Sequence, residues 1–204
     1  MVRNWRLERR RDHYYKLAKQ EGYRSRAVYK LLEIQKRYQI LKPGFKVVDL
    51  GCAPGGWLQV ASSLVGSKGK VLGVDVKPVE PLEASNVSLI TLDVRNPELP
   101  KTVLEKMGGR VDVVLSDASP NISGVWEVDH ARQMELAEAA FQTALKTLKL
   151  GGSLLVKVFE GEFLQAFIRK LKRRFETVKI IKPKASRARS AEIYLLALNL
   201  RSRR

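Results

Sequence analysis

A single cysteine, Cys52, leaves this sequence of 204 residues without any possible intrachain disulfide, the pattern of a protein kept reduced. Its two histidines, His13 and His130, lie far apart and have no clustered cysteines beside them, so no metal is expected. No uninterrupted apolar run is long enough to cross a bilayer. Arg3, Arg6, Arg9, Arg10 and Arg11 lead into no hydrophobic segment that would make a secretory leader. A soluble cytoplasmic protein with no membrane partner is the expectation. Negative charge is scarce as well. Against 38 Lys+Arg stand 21 Asp+Glu, a net charge of +17. An imbalance of that size points to a polyanionic partner, because each phosphate that is neutralised releases condensed counterions. A solvated thermophile surface would carry its charges in closer balance.

The hydrophobic content of 45% is enough for one domain with a substantial core. Basic residues crowd the first 26 positions, then 170–174, 179–189 and Arg201, Arg203 and Arg204. Strand patterns fall at 46–50, 70–76, 88–94, 111–117, 153–159, 177–182 and 192–200, with helical patterns between most of them. A helix is expected to start near Ser25 and to place Ala27, Val28, Leu31, Leu32, Gln35 and Tyr38 together. Asp129 is placed to cap another, striped by Met134, Ala137, Phe141, Leu145 and Leu148, with Gly151 just past its end. Phe163, Phe167, Leu171 and Phe175 stripe a third. Several strands are apolar on both faces, as in a parallel sheet covered on each side. The expected fold is α/β: a single doubly wound Rossmann-like sheet, with residues 1–40 as a basic helical extension and 41–204 as the main domain.

The most informative stretch is Lys46-Val47-Val48-Asp49-Leu50-Gly51-Cys52-Ala53-Pro54-Gly55-Gly56-Trp57. A strand, a turn of small residues and a helix start bring backbone close to a nucleotide-like ligand. A dinucleotide fingerprint needs G-x-G-x-x-G, and the central glycine is replaced by Ala53, which weakens the case for a nicotinamide cofactor. Asp75, Asp93 and Asp117 are each expected at the carboxyl end of a strand, where such sheets bind ligands. One such aspartate would mark only a turn; three beside a glycine turn favour a site. Asp75 is suited to accept hydrogen bonds from a ribose diol.

Lys157 interrupts the apolar run Leu154-Leu155-Val156-Lys157-Val158-Phe159. It must snorkel, pair with an acid or titrate, and a titrating lysine can act as a general base. By periodicity alone Lys30 is an ordinary surface lysine, Glu192 merely opens the last strand, and Trp57 serves equally well as core aromatic or ligand contact. Cys52 fills the turn as a small residue.

Several short motifs occur in order along nearly the whole chain. They are Gly22-Tyr23-Arg24-Ser25-Arg26-Ala27 with Lys30-Leu31, the Asp49–Trp57 turn, and Ser116-Asp117-Ala118-Ser119-Pro120-Asn121 with Ser123-Gly124. Leu155-Val156-Lys157-Val158-Phe159, and Lys182-Pro183-Lys184-Ala185-Ser186-Arg187 with Ser190-Ala191-Glu192, complete the set. Together they resemble the FtsJ/RrmJ family of S-adenosylmethionine-dependent RNA ribose 2′-O-methyltransferases. The resemblance implies a catalytic tetrad of Lys30, Asp117, Lys157 and Glu192, with Lys157 the proton acceptor. It implies S-adenosyl-L-methionine contacts from Gly55, Trp57, Asp75, Asp93 and Asp117, and a last strand antiparallel between the fifth and sixth. Ser119 stands where the family often has a small apolar residue.

The resemblance further implies a partner in ribosomal RNA, within the large ribosomal subunit or free, and a uridine ribose in 23S-type RNA as the acceptor. The Pro120-Asn121 pair favours that branch over methylation of a tRNA anticodon loop, the alternative. A non-catalytic RNA-binding assembly factor is a further alternative, and an NAD-dependent oxidoreductase a distant one. The basic N-terminus and the 182–189 loop would grip phosphates, while Tyr14, Tyr15 and Tyr23 either pack or stack on unpaired bases. Oligomeric state is not legible in the sequence.

Overall fold

The computed structural model describes residues 12–187 and 190–202. The expectations placed on Arg3, Arg6, Arg9, Arg10, Arg11, Arg189, Arg203 and Arg204 fall outside those residues. Along the chain run α1 (His13–Gln20), α2 (Val28–Tyr38), β1 (Lys46–Leu50), α3 (Gly56–Val65), β2 (Lys70–Asp75), β3 (Val87–Thr91) and α4 (Leu99–Met107). Then follow β4 (Val111–Ser116), α5 (Trp126–Thr147), β5 (Leu148–Phe159), α6 (Leu164–Arg174), β6 (Phe175–Ile181) and β7 (Glu192–Leu200). The strands form one seven-stranded sheet in the order β3-β2-β1-β4-β5-β7-β6.

β1 lies inside the sheet, its β-branched pair buried on both sides. Val48 pairs in parallel with Leu72 of β2 and Val114 of β4. Alternation along the strands divides the core in two. Val48, Leu50, Val114 and Val156 face one way, against α4, α5 and α6. Val47, Val113, Leu115 and Leu155 face the other, against α2 and α3. The crossover to β7 reverses direction: Leu154 pairs antiparallel with Ala197 and Phe159 with Glu192, while β6 closes the edge with Phe175 opposite Leu200.

Helix α2 belongs to this core. Leu31 and Ile34 are 0% and 1% exposed, and each such burial contributes roughly 1.5–3 kcal/mol. Ile40 and Leu41 join the same cluster as strand residues of the sheet, so the packing runs through position 40 without a break.

Several local expectations are corrected. Helix α5 begins at Trp126 with Val125 at its cap. Asp129 is already inside it, its amide bonded to Val125 O at 3.0 Å. Its carboxylate reaches back to the Ser123 and Gly124 amides at 2.8 and 3.0 Å and fastens the preceding loop. Gly151 is not the end of that helix, which passes directly into β5 at Leu148. The glycine, at φ +78°, sits where the β4–β5 register shifts between Val111 and Val113, a bulge that a left-handed residue accommodates. Phe163 precedes α6 and Phe175 opens β6, leaving Phe167 and Leu171 as that helix's buried stripe. Strand β3 stops at Thr91, and Asp93 instead starts a turn in which its Oδ1 accepts from the Arg95 amide at 2.8 Å.

Candidate active site

Strands β4 and β5 run parallel and β7 antiparallel to them, so the ends of the first two and the start of the third share one edge. Three of the four tetrad residues come from that edge. Lys157 pairs across the sheet with Tyr194, and Phe159 with Glu192. Asp117 follows β4 directly. Lys30 arrives from the first turn of α2, which its apolar stripe clamps against the sheet. The four positions therefore converge, although they span 30 to 192 in sequence.

The side chains form two linked pairs. Lys157 Nζ donates to Asp117 O at 2.7 Å and lies 3.2 Å from Asp117 Oδ1. Lys30 Nζ lies 2.6 Å from Glu192 Oε1, which also accepts from Ser186 Oγ at 3.1 Å. Tyr194 joins the pairs: its hydroxyl donates to Asp117 Oδ1 at 2.6 Å, and Lys30 Nζ stands 5.7 Å from its ring centre. At 5% exposure Lys157 does not snorkel; it is buried and paired. Lys30, an ordinary surface lysine by periodicity, has a side chain only 12% exposed.

The electrostatics follow from these contacts. Burial opposes the charge of Asp117, but the Lys157 and Lys30 ammonium groups and the Tyr194 hydroxyl hold its carboxyl below the usual carboxylate range. Burial, reinforced by the charges of Asp117 and Glu192, pushes the Tyr194 hydroxyl well above the ordinary phenol value, so it remains a donor. Asp49, fully buried at the end of β1, has no partner for either carboxyl oxygen. Burial, with Asp117 and Asp75 nearby, pushes its carboxyl well up. The Cys52 thiol is also pushed up, by burial and then by Asp49 and Asp75, which keeps it unreactive.

Beside the tetrad opens a cavity of about 690 Å³, with Asp75, Asp93 and Asp117 in its lining. Gly51 lines it too, and must be glycine: its φ is +76°, and a Cβ would stand 2.4 Å from the Ala118 Cα. Asp75 is tied to the turn, Oδ2 accepting from the Ala53 amide at 2.9 Å, and Oδ1 accepts from Lys77 N. Asp93 is held by the Arg95 guanidinium, Nη2 to Oδ2 at 2.7 Å, a pairing that lowers its carboxyl below the usual range. These aspartates supply acceptors for a diol and countercharge for a cation. Gly55 and Trp57 are not in the lining. Gly55 caps α3, and Trp57 is 3% exposed, its Nε1 donating to Ala27 O at 2.8 Å. The Trp57 ring lies 5.8 Å from that of Tyr194 and buttresses the tetrad from behind.

Two residues escaped the sequence reading. Tyr194 bridges the pairs, and strand alternation offered a signal, since it lies two residues past Glu192 and so on the same side. Gln133 of α5 donates from Nε2 to Ala118 O and Lys157 O, at 3.2 and 3.0 Å. It ties the ends of β4 and β5 together, and nothing in its sequence context marks it. Among the described residues no group of three His, Cys, Asp or Glu side chains is placed to hold a metal ion, and no helix is long and apolar enough to cross a membrane.

This chain is similar to several known proteins. Ribosomal RNA large subunit methyltransferase E of Methanocaldococcus jannaschii is 48% identical over 198 residues, 96% of this chain and 81% of that protein. The protein of the same name from Methanothermobacter thermautotrophicus is 42% identical over 203 residues, 100% of this chain and 96% of that one. A crystal structure from Plasmodium falciparum, described as a ribosomal RNA methyltransferase, matches with a TM-score of 0.79 at 31% identity, covering 89% of this chain and 100% of that one. Residues 23–200 match the family described as FtsJ-like methyltransferase, and the chain belongs to that family.

Proposed function

We propose that this protein transfers a methyl group from S-adenosylmethionine to a ribose 2′-hydroxyl, that of a uridine, in the 23S-type RNA of the large ribosomal subunit. The observation that carries the reading is the convergence of Lys157, Asp117, Tyr194, Lys30 and Glu192 beside a cavity lined by three aspartates. Ribosomal RNA as the acceptor is supported by the names of the archaeal relatives and by the net charge of +17.

The cavity residues fit the cofactor. Asp75 has acceptor capacity for a ribose diol beyond its two backbone donors, and the carboxylates suit a ligand carrying sulfonium and ammonium charge. Gly55 and Trp57 would contribute at most backbone groups at the start of α3. When bound, the cofactor supplies an activated methyl whose carbon–sulfur electron pair leaves with sulfur. The chain must align the hydroxyl oxygen with that methyl and remove the hydroxyl proton.

Lys157 takes that proton. Asp117 O and Oδ1 occupy two directions around Nζ and fix it, leaving a further direction for the 2′-hydroxyl. Asp117, kept ionised by its neighbours, stabilises the ammonium that forms. Tyr194 holds Asp117 in place, while the Lys30–Glu192 pair sets the floor on which the ribose rests.

Transfer of labelled methyl from S-adenosylmethionine to unmodified large-subunit RNA, followed by nuclease and alkaline digestion, tests the reading. An alkali-resistant 2′-O-methyluridine dinucleotide is expected. A base-methylated product, or labelling of tRNA alone, overturns it. Lys157→Ala should lower the transfer rate about 100-fold or more while the variant still binds cofactor; transfer at the wild-type rate would remove Lys157 as the base.

A further inference from the structure

The basic residues at 170–174 and the arginine at 201 have no part in the active site, and the fold brings them together at the opposite end of the sheet. An open groove of about 960 Å³ is lined by Arg173, Arg174 and Arg201, with Leu150 and Glu176 beside them. The backbone fixes this cluster: the amide of Arg201 donates to Arg174 O at 2.8 Å, pinning the chain after β7 to the end of α6.

Two neighbouring surface lysines have carboxylate partners: Lys170 pairs with Glu138 at 2.8 Å and Lys149 with Asp112 at 2.6 Å. Among the described residues no carboxylate lies within ion-pairing distance of Arg173, Arg174 or Arg201. Glu176, the acid in the lining, accepts instead from Asn199 Nδ2 at 3.0 Å. Three guanidinium groups sharing one groove repel one another unless an anion sits between them, and guanidinium forks match phosphate oxygens.

We infer that this groove is a second RNA-binding site, one that takes the phosphodiester backbone of the substrate away from the methylated nucleotide. The inference rests on the proposed RNA substrate. Eight residue steps along β7 separate Glu192 from Leu200, about 26 Å at ~3.3 Å per residue. Lys179, exposed on the edge strand β6, stands between the two ends. A chain of stacked nucleotides rising about 3.4 Å each needs about eight to bridge that span. The substrate class is therefore a folded RNA large enough to reach both ends. A short single strand meets the active site alone.

The test compares wild type with a triple variant, Arg173→Gln, Arg174→Gln and Arg201→Gln, and with a charge-matched control, Lys68→Gln, Lys101→Gln and Lys106→Gln. The probes are a folded transcript of about 60 nucleotides and a three-nucleotide single strand, titrated across salt concentrations. The arginine variant should bind the transcript at least about tenfold more weakly, with a salt slope shallower by about 2–3, one phosphate per arginine. Its affinity for the short strand and for S-adenosylmethionine, and its melting temperature, should match wild type. An unchanged slope, or an equal loss in the lysine control, overturns the site. If inorganic phosphate abolishes the difference between wild type and variant at matched ionic strength, the groove is a small-anion site and the inference also fails. A wild-type protein that shows the binding contrast but transfers no methyl group would refute the proposed activity and leave this surface standing.

Discussion

Replacing Tyr194 with phenylalanine removes one oxygen and leaves almost everything else in place. The ring keeps its contact with Trp57 at 5.8 Å and its position under Lys30 at 5.7 Å. What disappears is the 2.6 Å hydrogen bond to Asp117 Oδ1. A hydrogen bond to a charged acceptor contributes about 1.5–3 kcal/mol, and its loss here leaves a carboxylate short of a donor. Folding stability should fall by about that amount. Because ~1.4 kcal/mol is a factor of ten in rate, loss of orientation at Asp117 should lower kcat roughly 10- to 100-fold. KM for the cofactor should stay within about threefold, because Tyr194 does not line the cavity. The pH dependence supplies an independent sign. The pairing of Asp117, whose folded carboxyl is depressed, contributes stability above the unfolded value near 3.9 and loses it as pH falls through the lower folded value. Without the Tyr194 donor the folded value rises, so that contribution shrinks and the acid limb of the rate profile moves to higher pH. Steady-state methyl transfer at several pH values and urea unfolding measure both effects. A variant that is only less stable, with kcat and acid limb unchanged, would show that Tyr194 merely fills space.

Two further perturbations test the rest of the site. Lys30→Met and Glu192→Gln, separately and together, should give a coupling free energy of about 1–3 kcal/mol in urea unfolding, with each single variant losing more than half of the double's loss; simple additivity would argue that the 2.6 Å pair carries no energy. Asp49→Asn removes the carboxyl that has no partner. Burial raises its folded value, so wild-type stability declines as pH rises from the unfolded value near 3.9 towards the folded one. The variant should be the more stable protein in that range, with an advantage that grows by about 1.4 kcal/mol per pH unit; a gap that stays constant between roughly pH 5 and 6.5 would mean that Asp49 is ionised in the fold.

The strands were legible because their cause is local. β-branched runs bounded by glycine or acidic turns mark β1, β2 and β4 within a residue of where they lie. Element ends were less so. Asp129 carries the chemistry of a helix cap, but its own amide is already inside the helix, and its carboxylate serves the loop before it. Asp93 was expected to end a strand and instead opens a turn paired with Arg95. At both positions a polar side chain had two backbone partners within reach, and packing elsewhere chose between them.

By itself the sequence determined the glycine turn after β1, the excess of positive charge from which a polyanionic partner is expected, and a lysine in Lys157 that had to be paired or titrate. Short-range pattern and composition carry that information, since each depends on residues within a few positions of one another. Only the tertiary structure decided which acid answers which lysine. The antiparallel β7 puts Glu192 and Tyr194 opposite Phe159 and Lys157, and the burial of Leu31 and Ile34 delivers Lys30 to Glu192. It also decided that Trp57 supports the tetrad from the core, and that three arginines spread from 173 to 201 face one groove. Each of these is a contact between residues distant along the chain, set by strand register and by the closing of two cores around one sheet.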